Sequence, residues 1–250
     1  MNISDKTILI TGAAGGLGRL FINELLEEDV KSVIALDVNT SGLADINDDR
    51  LYSFACDVSD EKQVFETLTE IYTDHPDIDV LVNNAGILHS APLVNMLEKD
   101  DASLHASAES FNHCLRVNLH SVFYVSQFVG RKMMKTRTKG VIVNISSVSA
   151  QGNAGQSAYS ASKAGVEALT HVWAKELAGF GIRSVAIAPG YMDTPSTHKA
   201  VSESQLKEIT ARIPLRALGN PDCIVAALWF AIENDYLNGT VLHVDGGLRT

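Results

Sequence analysis

The sequence predicts an α/β protein with a doubly wound parallel sheet of about seven strands and helices on both faces. Two observations and one general rule predict this fold. Short apolar segments alternate with longer amphipathic ones along all 250 residues. Most of the short segments are apolar at every position, which is typical of strands that are covered on both faces. Crossovers between parallel strands are right-handed, and this handedness gives the doubly wound arrangement.

Each element follows from these patterns. The predicted strands are residues 7–10, 32–36, 51–55, 80–82, 141–145, 184–188 and 240–244. The predicted helices are residues 18–28, 61–72, 109–135, 158–178 and 221–233. Residues 89–107 and 193–214 interrupt the alternation, and each follows a strand. Ligands bind beyond the carboxyl ends of such strands, so we expect both segments to be walls or lids of a site.

The composition excludes several classes of protein. The chain has 20 Lys and Arg against 30 Asp and Glu, a net charge of −10, which repels nucleic-acid phosphates. The longest apolar run, residues 223–232, is about half of a membrane span. We therefore expect neither a nucleic-acid nor a membrane partner. Three scattered cysteines and a polar start predict a cytoplasmic protein, and eight His without ligand spacing predict no metal site.

A glycine-rich loop joins the first predicted strand to the first helix. It reads Thr11-Gly-Ala-Ala-Gly-Gly-Leu-Gly18. Gly12 permits a tight turn, while Gly16 and Gly18 allow backbone amides and the helix to approach a pyrophosphate. Gly15 and Leu17 complete the loop. Its position directly after a strand and before a helix predicts a dinucleotide-binding site made of Gly12, Gly15, Gly16, Leu17 and Gly18.

Asp37 ends the second predicted strand. A carboxylate there accepts hydrogen bonds from the adenosine ribose hydroxyls and repels a 2′-phosphate. No Arg or Lys lies in the glycine loop before Gly18 or directly after Asp37. The sequence therefore favours NAD over NADP. Asp57 and Val58, after the third strand, are candidates for holding the adenine amino group.

Tyr159-Ser-Ala-Ser-Lys163 supplies candidate catalytic groups. Residues four apart share one face of a helix. A Lys ammonium near a phenol favours the phenolate, so Tyr159 becomes a usable acid or base near neutral pH. Two other polar motifs accompany strands: Asn83-Asn-Ala-Gly86 follows the fourth predicted strand, and Asn144-Ile-Ser-Ser147 ends the fifth.

Taken together, these motifs resemble the short-chain dehydrogenase/reductase family in its single-domain form. The resemblance covers the whole chain. Its motifs are the T-G-x-x-x-G-x-G loop, N-N-A-G, Asn118, the Ser, the Y-x-x-x-K, Pro189-Gly190 and Asp245-Gly-Gly247. It implies a Rossmann-type fold in one domain, residues 1–250. Cofactor-binding elements then lie within about 1–140 and catalytic and substrate elements within about 141–250.

The resemblance also implies roles for individual residues. Tyr159 exchanges a proton with the substrate oxygen, and Lys163 binds the nicotinamide ribose and lowers the pKa of Tyr159. The Ser binds the substrate oxygen, and Asn118 holds a water of the proton relay. Further cofactor contacts fall on Asn84, Ala85, Gly86, Pro189, Gly190, Met192 and Thr194. The family implies a homotetramer built partly from the helices predicted at 109–135 and 158–178.

The position of the catalytic serine departs from the family pattern. The usual spacing of 13 residues before the Tyr selects Ser146, and the usual spacing of three residues after the strand Asn selects Ser147. The strand fixes the geometry while loops absorb deletions, so Ser147 is preferred. Ser146 stays open, because adjacent strand residues point to opposite faces.

Two substrate classes follow from resemblance. The C-terminal segment and the long segment 89–115 look like those of NAD-dependent type II 3-hydroxyacyl-CoA dehydrogenases. The alternative is a 3-oxoacyl-carrier-protein reductase, to which Gly152-Asn-Ala-Gly-Gln156 is similar. Such reductases normally use NADPH, which Asp37 disfavours. Other alcohol, sugar or steroid dehydrogenases remain alternatives. A non-catalytic dinucleotide sensor is disfavoured by the intact catalytic set, and an extended-type epimerase or dehydratase by the loop spacing.

Overall fold

A seven-stranded parallel sheet forms the centre of the protein, as predicted. The computed structural model describes residues 1–94, 107–194, 197–198 and 201–249. The strand order is β3-β2-β1-β4-β5-β6-β7. Their bounds, which confirm all seven predicted strands to within one residue, are β1 Thr7–Thr11, β2 Ser32–Asp37, β3 Leu51–Ala55, β4 Val80–Asn83, β5 Val141–Ile145, β6 Arg183–Pro189 and β7 Thr240–Val244.

Helices cover both faces of the sheet. They are α1 Gly16–Leu26, α2 Glu61–Asp74, α3 Ala108–Leu115, α4 Ser121–Thr136, α5 Ser157–Glu176, α6 Glu203–Arg212 and α7 Asp222–Glu233. Strand β1 shows the two layers, because its side chains alternate between two apolar clusters. Ile8 and Ile10 pack in the cluster that contains residues of α1 and α7. Leu9 packs in the cluster that contains residues of α2 and α4. The doubly wound prediction is thereby confirmed.

The order of the strands fixes where a ligand can bind. The chain runs outward from β1 through β2 to β3, and then returns to β4 on the other side of β1. The chain leaves β1 toward one face of the sheet, with α1, and leaves β4 toward the other, with α4. A crevice opens between such segments at the carboxyl ends of the strands, which is where ligands bind in open α/β sheets. Strand β3 is the outer edge, and its residues are mostly exposed, unlike the buried interior strands.

A π-helical turn interrupts the helix that the sequence predicts over residues 109–135. The structure has α3, then a π turn at Arg116–His120, then α4. Apolar periodicity continues through the turn and does not reveal it. Such turns often lie at functional sites. The buried Asn118 lies in the middle of this one.

The segment 193–214 contains a helix that the sequence analysis missed. Helix α6 begins after Ser202, whose hydroxyl accepts a hydrogen bond from the Gln205 N–H while the Gln205 side chain accepts one from the Ser202 N–H. This reciprocal capping box is a readable sequence signal. The prediction that 89–107 and 193–214 form walls or lids falls partly on residues 95–106, 195–196 and 199–200, which lie outside the described residues. None of the described helices is long and apolar enough to cross a membrane.

Candidate active site

The glycine loop is built by close contacts between backbone segments. Gly12 has φ +62°, and a Cβ on it would lie 2.6 Å from the Ala85 Cα. A Cβ on Gly18 would lie 2.2 Å from the Gly12 carbonyl oxygen. Side chains at either position would separate the loop from α1 and from the segment after β4, which explains both glycines.

The segment after β4 is hydrogen-bonded to the glycine loop. The Asn84 amide Nδ2 donates to the carbonyls of Thr11 at 3.1 Å and Gly12 at 2.8 Å. The Thr11 hydroxyl in return accepts from the backbone N–H groups of Asn84 and Ala85, each at 3.1 Å. These four hydrogen bonds explain why the N-N-A-G motif accompanies the glycine loop.

The start of α1 fits a dinucleotide pyrophosphate. The helix opens with Gly16-Leu-Gly-Arg19, so its first turn carries no acidic side chain, and its N-cap is Gly15. Among the described residues, nothing lies within 4 Å of where a Cβ on Gly15 or Gly16 would project. The free N–H groups of the first turn and the helix dipole both favour an anion there.

Asp37 is fixed at the end of β2, next to this loop. Its carboxylate accepts hydrogen bonds from the backbone N–H groups of Ala14 at 2.9 Å and Asn39 at 3.1 Å. Arg19, the cation in the first turn of α1, is engaged elsewhere, with its guanidinium 2.6 Å from the Asp45 carboxylate. The Asp37 carboxylate therefore borders the glycine loop.

Tyr159 and Lys163 lie on the face of α5 that packs against the end of β5. The Lys163 ammonium donates to the Ile145 carbonyl at 2.7 Å and lies 5.8 Å from the centre of the Tyr159 ring. The Tyr159 hydroxyl hydrogen-bonds with the Ser147 side chain. The neighbouring Ser146 points away, and its hydroxyl donates to the Glu167 carboxylate at 2.8 Å. The two serines thus face different partners.

Burial dominates the titration of this pair. It raises the pKa of Tyr159, and the hydrogen bond with Ser147 opposes that rise. Burial also lowers the pKa of Lys163 to about 8. The sequence analysis predicts a lowered pKa for Tyr159, and the structure gives a net rise instead. The reason is desolvation, which disfavours both charged forms and outweighs the favourable hydrogen bond.

Asn118 supports the segment after β4. Its Oδ1 accepts from the Ile87 N–H at 2.7 Å, and its Nδ2 donates to the Ile87 carbonyl at 2.8 Å. A Cβ on Gly86 would lie 3.3 Å from the Asn118 Oδ1 and 3.5 Å from the Lys163 Nζ. The π turn of Asn118, the N-N-A-G segment and Lys163 therefore pack together.

The residues that follow β6 and β7 contact each other. Its last residue is Pro189, and a Cβ on Gly190 would lie 2.7 Å from the Asp245 Cα. The motifs Pro189-Gly190 and Asp245-Gly-Gly247 are thus in backbone contact. The Thr194 hydroxyl lies 3.0 Å from that of Thr197.

One cavity of about 580 Å³ brings most of the predicted residues together. Those that line it are Gly12, Gly15, Gly16, Leu17, Asp37, Asn84, Ala85, Gly86, Ser146, Ser147, Tyr159, Lys163, Pro189, Gly190, Met192 and Thr194. Gly18, Asn118, Asp57 and Val58 do not line it. The Asp57 carboxylate accepts a hydrogen bond from the Ser59 N–H, and Val58 packs in an apolar cluster.

The residue-by-residue predictions omitted part of the lining, although Thr197 and Val201 lie in the segment 193–214, which was predicted to be a wall or lid. The additional residues are Ile87, Leu88, Ile145, Val148, Ser149, Gln156, Tyr191, Thr197 and Val201. All but Val201 and Thr197 adjoin motifs named above, at the carboxyl ends of β4, β5 and β6. Proximity to those ends was the signal that could have found them.

Comparison with known proteins identifies the family. A family model described as short chain dehydrogenase matches residues 6–205. The 3-oxoacyl-[acyl-carrier-protein] reductase FabG of Thermotoga maritima is 38% identical over 257 residues, 99% of each chain. That of Vibrio cholerae is 37% identical over 254 residues, again 99% of each. The names of these relatives match the alternative prediction, a 3-oxoacyl-carrier-protein reductase. The prediction of a 3-hydroxyacyl-CoA substrate is not confirmed.

Solved structures agree on the fold. NAD⁺-bound xylitol dehydrogenase superposes with a TM-score of 0.87 at 26% identity, covering 99% of this chain and 100% of the other. Ligand-free Thermoplasma acidophilum aldohexose dehydrogenase gives 0.83 at 30% identity, covering 98% and 94%. The chain therefore belongs to the short chain dehydrogenase family and is an oxidoreductase that acts on CH–OH groups.

Proposed function

We propose that this protein reduces the ketone of a 3-oxoacyl thioester to the secondary alcohol with NADH, and catalyses the reverse reaction. The observation that carries the proposal is the shared cavity. Ser147, Tyr159 and Lys163 line the same space as the glycine loop and Asp37. A proton donor and a dinucleotide site thus open on one volume, as hydride transfer to a carbonyl requires.

Tyr159 is the proton donor in this proposal. Its raised pKa keeps the phenol protonated at neutral pH, as a donor to a carbonyl oxygen must be. The Ser147 hydroxyl, hydrogen-bonded to Tyr159, is placed to bind the same oxygen. In the reduction the carbonyl oxygen takes the phenol proton while the carbonyl carbon takes the hydride. The nicotinamide dinucleotide supplies that hydride when bound.

Lys163 and Asn118 support the proton donor. The Lys163 ammonium, held by the Ile145 carbonyl, is placed to bind ribose hydroxyls and to favour the tyrosinate that forms. The Asn118 Oδ1 accepts from the Ile87 N–H, and its Nδ2 contacts the Ile87 carbonyl, the Cys114 sulfur and the Ser162 hydroxyl. Because the side chain is engaged in this way, the role in holding a relay water is assigned to the Asn118 backbone carbonyl.

NAD is the proposed cofactor because of Asp37. Its carboxylate at the end of β2 would accept ribose hydroxyl hydrogen bonds and repel a 2′-phosphate. The pairing of Arg19 with Asp45 supports the same preference, because it engages a nearby cation. The adenine contacts predicted for Asp57 and Val58, and the nicotinamide contacts predicted for Met192 and Thr194, remain part of this proposal.

The thioester substrate is supported by the relatives. Those named above are carrier-protein reductases that match the chain over nearly its whole length. The motif Gly152-Asn-Ala-Gly-Gln156 leads into α5 beside the cavity. Apolar side chains of Ile87, Leu88 and Val148 offer surface for an acyl chain.

A polar chain at the cavity edge favours a second candidate, a sugar or polyol substrate. The Asn153 amide donates to the Tyr191 hydroxyl and to the Gln156 side-chain oxygen, both at 3.2 Å. Tyr191 and Gln156 line the cavity. Paired donors and acceptors of this kind suit a substrate with several hydroxyls. Xylitol and aldohexose dehydrogenases are among the structural neighbours.

The test follows NADH oxidation at 340 nm. Acetoacetyl-CoA and a 3-oxoacyl carrier protein are compared with a ketose and, in the NAD⁺ direction, with xylitol and glucose. NADPH is run in parallel. Turnover of either thioester with NADH at the higher kcat/KM supports the proposal. Turnover of the sugars alone would replace it by the second candidate, and a preference for NADPH would overturn the role of Asp37.

We also propose a cytoplasmic homotetramer. A second cavity of about 550 Å³ lies between α4 and α5, and its apolar lining includes Phe123, Trp173, Leu177 and Phe180. An apolar groove on two neighbouring helices fits a contact between subunits. Light scattering of the purified protein tests the tetramer, and a monomer mass would contradict it.

The free thiols Cys56, Cys114 and Cys223 support a reducing compartment.

A further inference from the structure

Three residues at the end of β5 meet one face of α5. The Ile145 carbonyl accepts from Lys163, Ser146 donates to Glu167, and Ser147 hydrogen-bonds with Tyr159. Tyr159, Lys163 and Glu167 are spaced at four-residue intervals, so they lie above one another on the helix. In the middle contact, Ser146 lines the cavity, whereas its partner Glu167 is not among the lining residues.

This middle contact is well placed to fix its neighbours. Ser146 is only 2% exposed, and its backbone N–H donates to the Ile187 carbonyl at 2.7 Å. Its hydroxyl also lies 3.4 Å from the Lys163 carbonyl. The Glu167 carboxylate is half-buried and accepts at 2.8 Å. A hydrogen bond to an ionised carboxylate is shorter and stronger than a neutral one.

We propose that Glu167 is a positioning residue that acts through Ser146 to hold the Ile145 carbonyl and the Ser147 hydroxyl in register with Lys163 and Tyr159. This inference rests on the proposed function, because it assigns Glu167 a part in the same reaction. It also gives Ser146 a role distinct from that of Ser147. The Ile145 carbonyl contacts the Lys163 ammonium, and the Ser147 hydroxyl contacts Tyr159. Ile145 and Ser147 flank Ser146 in the chain, so a rotation of the Ser146 backbone displaces both groups.

The kinetic test compares Glu167→Ala, Glu167→Gln and Ser146→Ala with the wild type. Loss of the contact is expected to lower kcat about tenfold and to leave the KM for NADH within about twofold, because small misplacements of reacting groups reduce kcat. Gln retains a side-chain oxygen acceptor, so Glu167→Gln is expected to restore kcat to within about twofold. Glu70 is an exposed glutamate of α2, and Glu70→Ala is therefore the matched control.

Two further measurements separate the outcomes. The double variant Glu167→Ala/Ser146→Ala is expected to lose no more than either single variant, because both remove one contact. Ser146→Ala leaves α5 unaltered, so it tests the contact even if Glu167→Ala folds poorly. Wild-type kcat in both single variants, or no rescue by Gln, would overturn the inference.

A structural readout makes the test independent of the substrate. Crystal structures of the wild type and Ser146→Ala are compared at the Ser147 hydroxyl. Displacement of this hydroxyl from hydrogen-bonding distance of Tyr159 supports the inference even if no tested carbonyl is reduced. An unmoved Ser147 contradicts it. Failure of the wild type to reduce any carbonyl would instead count against the proposed function alone.

Discussion

The two ends of the cavity are built by opposite means. At the dinucleotide end, glycines and backbone groups leave space, and Gly12 and Gly18 each stand where a Cβ would meet backbone atoms. At the catalytic end, buried side chains fill the space, and Lys163 is only 4% exposed. The two ends should therefore lose function through different kinds of substitution. The first is sensitive to atoms that are added, and the second to atoms that are removed.

Removing one oxygen at the catalytic end is expected to have the largest effect. Tyr159→Phe deletes the proton donor, so kcat for carbonyl reduction should fall about a thousandfold, within the usual range for loss of acid catalysis. NADH affinity, measured by fluorescence titration, should stay within about threefold, because the glycine loop is untouched. Tyr159→Phe with wild-type kcat would contradict the assignment.

Adding one carbon at the dinucleotide end is expected to weaken cofactor binding. In Gly12→Ala the new Cβ would lie 2.6 Å from the Ala85 Cα, and the φ of Gly12 is +62°. The strain should lower NADH affinity about thirtyfold and lower the Tm, since such conformations cost about 1–3 kcal/mol. Gly179→Ala is the control, because among the described residues nothing lies within 4 Å of its Cβ position. Equal NADH affinity in the two variants would contradict the backbone account.

Changing the charge at the adenosine end should alter cofactor preference more than rate. Asp37→Ser removes the carboxylate that would repel a 2′-phosphate, so the NADPH to NADH ratio of kcat/KM should rise about tenfold. Glu66→Gln, on the exposed face of α2, removes a surface carboxylate in the same way and serves as the control. An unchanged ratio in Asp37→Ser would mean that selection lies elsewhere.

The smallest expected effect is on pH dependence. The pKa of Lys163 is lowered to about 8, so its ammonium loses its proton as the pH rises through that value. kcat/KM for carbonyl reduction should then be about twofold lower at pH 8 than at pH 7, because kcat/KM reports groups of the free enzyme. Tyr159, with its raised pKa, stays protonated in this range. If kcat/KM falls only above pH 10, the fall would be assigned to Tyr159 instead of Lys163. Thermal melts at each pH exclude unfolding.

Local patterns predicted most of the fold because most elements are locally encoded. The seven strands follow from apolar runs, and α1, α2, α5 and α7 follow from periodicity with errors of a few residues at their ends. The π turn at Arg116–His120 was missed, because apolar periodicity continues through it, and the hydrogen bond of Asn118 with Ile87, 31 residues away, is not visible in a local pattern. Helix α6 was missed although its capping box, Ser202 and Gln205, is visible in the sequence.

The family, the sheet, the glycine loop and the Tyr159–Lys163 pair could all be predicted from the sequence. These depend on residue types at short spacings, which a chain displays before it folds. The tertiary structure was needed to distinguish the two adjacent serines, because Ser146 contacts Glu167 and Ser147 contacts Tyr159 between the end of β5 and α5. It also decided the direction of the Tyr159 pKa, because desolvation depends on everything packed around the ring and not on its neighbours in the chain.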